Sequence, residues 1–128
     1  MLFRSLARQP LQPPSAATLQ QDHGVDLELL MALAERGDVV RVGPDGVFLP
    51  EAVERFGSAI IAALATGPIT VAKARDLTGS SRKHVVPLLQ FLDDHGLTRR
   101  AGDDRVLIHD QATSHEQLRR AIRRDRDR

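Results

Sequence analysis

Cysteine, tryptophan and tyrosine are absent from this sequence, and phenylalanine occurs four times. Without cysteine there can be no disulfide, thiolate metal site or cysteine nucleophile, which fits a reducing cytoplasm. No apolar stretch approaches the roughly 18 residues a membrane span requires; the longest useful run is Ala59-Ile60-Ile61-Ala62-Ala63-Leu64-Ala65. The expectation is a cytoplasmic protein with no membrane partner, not a secreted, membrane or zinc-ribbon protein.

Catalytic patterns are missing too. The five histidines, His23, His84, His95, His109 and His115, show no metal-ligand spacing. His84 and His95 fall on one predicted helix, but about 16 Å of axis separates them at about 1.5 Å per residue. Neither a Gly-x-Ser-x-Gly elbow nor a Walker-type phosphate loop occurs. Asp93-Asp94 and Asp103-Asp104 are adjacent pairs, which do not converge on one face; they read as a helix-end surface and a turn. No catalytic residue, metal or cofactor is expected, and the chain does not read as an enzyme.

What is present is an ordinary soluble composition, 41% hydrophobic and 27% charged over 128 residues. That length allows one domain or two very small ones. The net charge of +1 conceals a division: residues 1–66 hold five Arg or Lys against eight Asp or Glu, net −3, and residues 67–128 hold thirteen against nine, net +4. Sixteen of the eighteen basic residues are Arg, whose planar fork suits phosphate and base edges. Charge alone leaves a polyanion partner and a solvated surface equally open. The first 21 residues carry Arg4 and Arg8 and no acid, a faint likeness to a transit peptide. A short helix Leu2–Arg8, with Leu2, Phe3 and Leu6 as its apolar face and Pro10 beyond its end, is the favoured reading.

The two halves repeat one pattern at an offset of 59 residues: Gly37 aligns with Gly96, Gly43 with Gly102, Asp45 with Asp104 and Val47 with Val106. Each copy reads as an amphipathic helix, a glycine suited to a left-handed cap, and a short hairpin. Asp26 and Ser81 stand where the two long helices need N-caps. Shorter helices precede them over residues 15–21 and 70–77, and Pro50 opens a further helix to Leu64, with Gly67 just beyond. Helix, helix, helix, hairpin is the plan of a winged helix. The predicted fold is mainly α with small β-hairpins (α+β), built as tandem winged-helix domains: a first module over 1–49, a second over 50–109 and a basic tail over 110–128. In the second long helix, Val85, Leu88, Leu89 and Leu92 form one buried stripe. Pro87 interrupts it at a cost of about 3 kcal/mol, and the pattern offers no reason.

Ser80-Ser81-Arg82-Lys83-His84 starts that helix, where backbone N–H groups and the dipole favour a phosphate and the two cations add charge-assisted bonds. Arg99-Arg100 and Arg105 flank the predicted wing turn. Arg99 and Arg100 point to opposite faces of a strand, so one can face a ligand while the other packs or pairs with an acid. Arg75 lies on the preceding helix. The plain alternative is that these residues only solubilise the chain; their clustering on two elements favours binding.

Residues 69–108 carry a more specific signal. Arg75-Asp76-Leu77, Ser81-Arg82-Lys83, Pro87-Leu88-Leu89 and Thr98-Arg99-Arg100-x-Gly102-Asp103-x-Arg105-Val106-Leu107 closely resemble the C-terminal winged-helix region of the bacterial selenocysteine-specific translation elongation factor. Residues 1–66 resemble the preceding winged helix of that factor more loosely. The resemblance implies an mRNA hairpin, the selenocysteine insertion element, as partner. Gripping it would tether the factor near an in-frame UGA and raise local concentration. It also implies indirect contact with the ribosome, with selenocysteinyl-tRNA and GTP engaged only through domains absent from this chain. A C-terminal piece or truncated product of the longer factor is therefore expected.

By that resemblance Arg82, Lys83, Arg99, Arg100 and Arg105 meet RNA, Ser81 caps the helix and can donate to a phosphate, and Arg75 is carried over as well. The sequence departs at Ala74, where the family usually has an aromatic residue, and at His84, where it often has Tyr. Either change affects base stacking or packing. The acidic start of the first long helix, Asp26 and Glu28, makes that module a spacer or docking arm. The tail, with Arg119-Arg120, Arg123-Arg124, Arg126 and Arg128, reads as a solvated, partly helical or disordered terminus. The alternative functions are a winged-helix DNA-binding transcriptional regulator and a protein-interaction scaffold.

Overall fold

A computed structural model describes residues 2–126, with side chains as far as Arg123. Arg128 and the side chains of Arg124 and Arg126 lie outside the described residues. The first unit comprises α1 (Leu2–Arg8), α2 (Ala16–His23), α3 (Leu27–Arg36), β1 (Val40–Val42) and β2 (Gly46–Phe48). The second repeats the order as α4 (Pro50–Leu64), α5 (Val71–Thr78), α6 (Arg82–Asp94), β3 (Thr98–Ala101) and β4 (Asp104–Leu107), and α7 (Gln111–Arg126) follows. The architecture is mostly helical with two small antiparallel hairpins, two winged helices in tandem.

Local chemistry sets these boundaries. Ser15 caps α2 through the Thr18 N–H at 3.2 Å, Asp26 caps α3 through the Leu29 N–H at 2.8 Å, and Thr70 caps α5 through the Lys73 N–H at 3.1 Å. Val40 pairs with Phe48 in the first hairpin, and Thr98 with Leu107 in the second. The aligned hairpin-turn glycines, Gly43 and Gly102, both have φ of +67°, a left-handed conformation that glycine alone adopts without penalty. A pairing the sequence pattern did not reveal joins Ile69 to Arg105 through backbone bonds of 3.2 and 2.8 Å. It adds a third edge to the second hairpin and ties the α4–α5 connection to the wing.

Alternation along the first hairpin lets it serve two cores. Val39 and Val47 join Leu6, Leu19, Leu30 and Leu33 beneath α1–α3. Val40, Val42 and Phe48 instead join Phe56, Ile60, Leu88, Leu89 and Leu92 of the second unit, together with Leu11. The boundary between residues 49 and 50 thus falls between β2 and α4, and the core continues across it. Pro87 gains a partner here: it is half-buried, and its Cβ lies 3.4 Å from the place a Gly43 β-carbon would occupy. At the N-terminus, Leu6 is fully buried but Phe3 is 44% exposed, so the apolar face of α1 is narrower than its sequence suggests.

The largest departure from the sequence reading is the tail. It forms α7, whose Ser114, Leu118 and Ala121 are buried and whose Ile122 packs on the larger core. These positions follow helical spacing, and α7 lies against both α4 and α3. Its crossing with α4 depends on Gly57: an added β-carbon would meet Leu118 side-chain atoms at 2.5 and 2.7 Å. In an exposed helix Gly→Ala stabilises by about 1 kcal/mol. Gly57→Ala is expected to reverse that sign, costing about 1–3 kcal/mol through overpacking, as urea denaturation would show.

Asp110 starts α7. Its Oδ1 accepts from the Thr113 N–H at 2.8 Å, and its carbonyl accepts from the Ser114 hydroxyl at 2.7 Å. Hydrogen bonding from Thr113, with a smaller contribution from nearby His109, holds this carboxyl below the usual carboxylate range. A depressed pKa means the capping contribution is present above the ordinary Asp value and lost as pH falls through the lowered one. An NMR titration should place the Asp110 midpoint below that of a free Asp, with helical signals from the first turn of α7 fading as it is crossed downward.

Candidate nucleic-acid interface

The head of α6 is held by a segment of the first unit. Gly79 ends α5 in a left-handed conformation, after which the buried Ser80 donates its hydroxyl proton to the Leu11 carbonyl. Gln12 Nε2 donates to the Gly79 carbonyl at 3.0 Å. His84 Nε2 and the Pro13 carbonyl lie 3.0 Å apart. A carbonyl can only accept, so Nε2 carries the proton. In the neutral ring Nδ1 then accepts from the Ser81 hydroxyl at 2.7 Å. Residues 11–13 thereby clamp the turn from which Arg82 and Lys83 project, both exposed.

This arrangement changes the role read for Ser81. It occupies the N-cap position, but its side chain makes no capping bond, because its hydroxyl is engaged by His84. It is an anchor for the His84 ring rather than a hydroxyl donor to a phosphate. His84, in turn, stands edge-on to Phe48 with ring centroids 6.2 Å apart, linking the two units. Ala74 is fully buried, so the loss of an aromatic there concerns packing and not a stacking surface.

Arg105 is a correction. Its side chain is 7% exposed and pairs with Asp93, itself 13% exposed, at 3.1 Å. Nε of Arg105 reaches the same Asp93 oxygen at 3.3 Å, and the buried Thr98 hydroxyl donates to the other. Asp93, read from sequence as helix-end surface, is therefore the acid that pins the wing to α6, and Arg105 is withdrawn from the surface set. The expectation that one of Arg99 and Arg100 packs or pairs with an acid does not hold, since both are exposed; the wing arginine that pairs with an acid is Arg105. Arg99 and Arg100 are both exposed on β3, and Arg75 is exposed on α5.

Of the remaining cations, Arg75 stands on α5, Arg82 and Lys83 at the head of α6, and Arg99 and Arg100 on β3 of the hairpin that Asp93 anchors near the other end of α6. The first unit offers no equivalent: Asp26 caps α3, and the exposed Glu28 occupies its first turn. Among the described residues, no group of three His, Asp or Glu side chains is placed to hold a metal ion. No described helix is long and apolar enough to cross a membrane.

Residues 61–107 match the family model for the winged helix of elongation factor SelB. This bears out, across most of the second unit, the resemblance read from residues 69–108. A solved structure of the mRNA-binding domain of elongation factor SelB from E. coli, in complex with SECIS RNA, superposes with a TM-score of 0.67. The two are 24% identical, and the match covers 82% of this chain and 91% of that chain. It establishes a shared fold. No curated protein matches the chain.

Proposed function

We propose that this chain is the mRNA-binding part of a selenocysteine-specific elongation factor and grips a hairpin of the selenocysteine-insertion type through its second winged helix. The observation that carries the reading is the exposed Arg82-Lys83 pair at the head of α6, inside the segment that matches the SelB winged helix. Helix-start N–H groups and two cations suit a phosphate. RNA hairpin loops, with their splayed bases and bent backbone, present phosphates and base edges together. Arg99 and Arg100 extend the contact along the wing, and Arg75 lies at its margin. Arg105 and Ser81 support these residues from beneath.

Bound in this way, the chain would act by proximity, holding a decoding factor near an in-frame UGA without chemistry of its own. Selenocysteinyl-tRNA, GTP and the ribosome would be engaged through other parts of that factor, in the cytoplasm where translation occurs. The test is a fluorescence-anisotropy titration at several salt concentrations. Its probes are a labelled hairpin from downstream of a selenoprotein UGA codon in the same genome, a loop-scrambled hairpin and a length-matched DNA duplex. Preference for the native loop, with a salt slope reporting a few phosphates, is expected. Equal and steeply salt-dependent binding to all three would overturn the reading, and preference for particular duplex sequences would favour a DNA-binding regulator.

A further inference from the structure

A cleft of about 170 Å³ lies between the two units, lined by Pro13, Pro44 and Phe48 of the first and by Lys83, His84 and Pro87 of α6. We infer that this cleft receives a single unpaired base of the bound RNA hairpin, so that the first winged helix supplies half of the recognition site. The inference rests on the RNA-binding reading above and specifies what that reading leaves open.

Size and chemistry select the occupant. Drug-sized ligands fill pockets of about 300–1,000 Å³, so this cleft has room for one planar ring system and not for a whole nucleotide. Its walls are mostly apolar, with the flat surfaces of proline rings and an imidazole, the kind of face on which a base can stack. The His84 ring is fixed at both nitrogens, by Ser81 at 2.7 Å and by the Pro13 carbonyl at 3.0 Å, and abuts Phe48. It therefore presents a preset surface instead of a mobile one, which limits the ordering cost of binding. Asp45 also lines the cleft, with one oxygen accepting from the Ala17 N–H at 3.1 Å. A carboxylate inside would repel a phosphate, whereas Lys83 is exposed and belongs to both the cleft lining and the cationic head of α6. A nucleotide seated here would place its base inside and its phosphate against Lys83 and Arg82.

This arrangement gives the first unit a role that its acidic helix start conceals. Its α3 head does not engage RNA; its linker and hairpin build one wall of the cleft. The bonds from residues 11–13 to the head of α6 then hold the two walls in register.

An abasic scan of the hairpin loop tests the inference, with the intact chain and a Pro44→Trp variant that narrows the cleft. For the intact chain, removing one particular loop base should weaken binding about 10- to 100-fold, the usual contribution of one stacked base. Pro44→Trp should lose a similar factor on the intact hairpin and almost nothing on the hairpin lacking that base, the non-additivity expected of partners in one contact. Its undiminished affinity for the abasic hairpin also shows that the variant is folded. With the intact chain, placing 2-aminopurine at the sensitive position adds a direct readout, because that chain has no Trp or Tyr to obscure its emission. Additive effects, or a Pro44→Trp variant that binds every hairpin as the intact chain does, would overturn the cleft inference while leaving RNA binding standing. If the intact chain fails to distinguish the native loop from a scrambled one, both fall together.

Discussion

Replacing Asp93 by Ala is expected to destabilise the chain by about 3–5 kcal/mol, the usual cost of leaving one member of a buried ion pair without its partner. The Arg105 side chain is 7% exposed and depends on Asp93 for its charge-assisted bonds. Thr98 would lose its acceptor in the same step. Because Thr98 and Arg105 anchor the two strands of the wing, local order around residues 98–107 should fall together with global stability. Urea denaturation reads the global loss, and amide exchange across β3 and β4 reads the local one. A triple replacement, Asp93→Leu with Arg105→Met and Thr98→Val, should recover most of the stability, since a well-packed apolar cluster often equals or exceeds a buried ion pair once no hydroxyl is left without its acceptor. If Asp93→Ala costs under about 1 kcal/mol, as an exposed pair would, the wing is not held as described.

The second large effect concerns binding. Arg82→Ala combined with Lys83→Ala should lower hairpin affinity about 100-fold or more at moderate salt, as each charge-assisted bond contributes about 1.5–3 kcal/mol. The slope of log affinity against log salt should become shallower by about 0.7 for each phosphate of unpaired RNA that the variant no longer neutralises. Both side chains are exposed, so thermal stability should scarcely change. Arg105→Ala should show the opposite pattern, with reduced stability and a weaker, indirect effect on RNA. Measuring both variants separates a residue that touches the ligand from one that holds the wing in place.

That contrast also marks how far the sequence could be read. The 59-residue repeat revealed both winged helices, because left-handed glycines, caps and hairpin turns depend on local chemistry. Exposed cations at a helix head are legible for the same reason, and Arg82 and Lys83 stand where the pattern puts them. Arg105 was not legible as a buried residue. Its strand position resembles those of Arg99 and Arg100, and only the approach of Asp93, twelve residues earlier in the chain, draws it inward. Ser81 failed in a similar way: a good N-cap residue gives its proton to His84, whose other nitrogen is committed to a carbonyl 71 positions away.

The tail shows a signal that was present but outweighed. Ser114, Leu118, Ala121 and Ile122 lie at i, i+4, i+7 and i+8, a helical stripe, yet their many arginine neighbours gave the segment the look of a solvated terminus. Gly57 belongs with them, because a glycine within an otherwise strong helix often marks a close approach by another element. The packing between the units had no comparable local signature. Pro87 and His84 are explained only by the first unit's hairpin and linker, which pack beside them.

Whether RNA is gripped by α6 and the wing is decided most simply by mapping backbone amide protection with and without the native hairpin at moderate salt. Increased protection is expected at residues 80–86 at the head of α6 and at 98–102 on the wing, with α3 of the first unit unchanged. Protection centred on α3, or none above that caused by a loop-scrambled hairpin, would contradict this mode of binding.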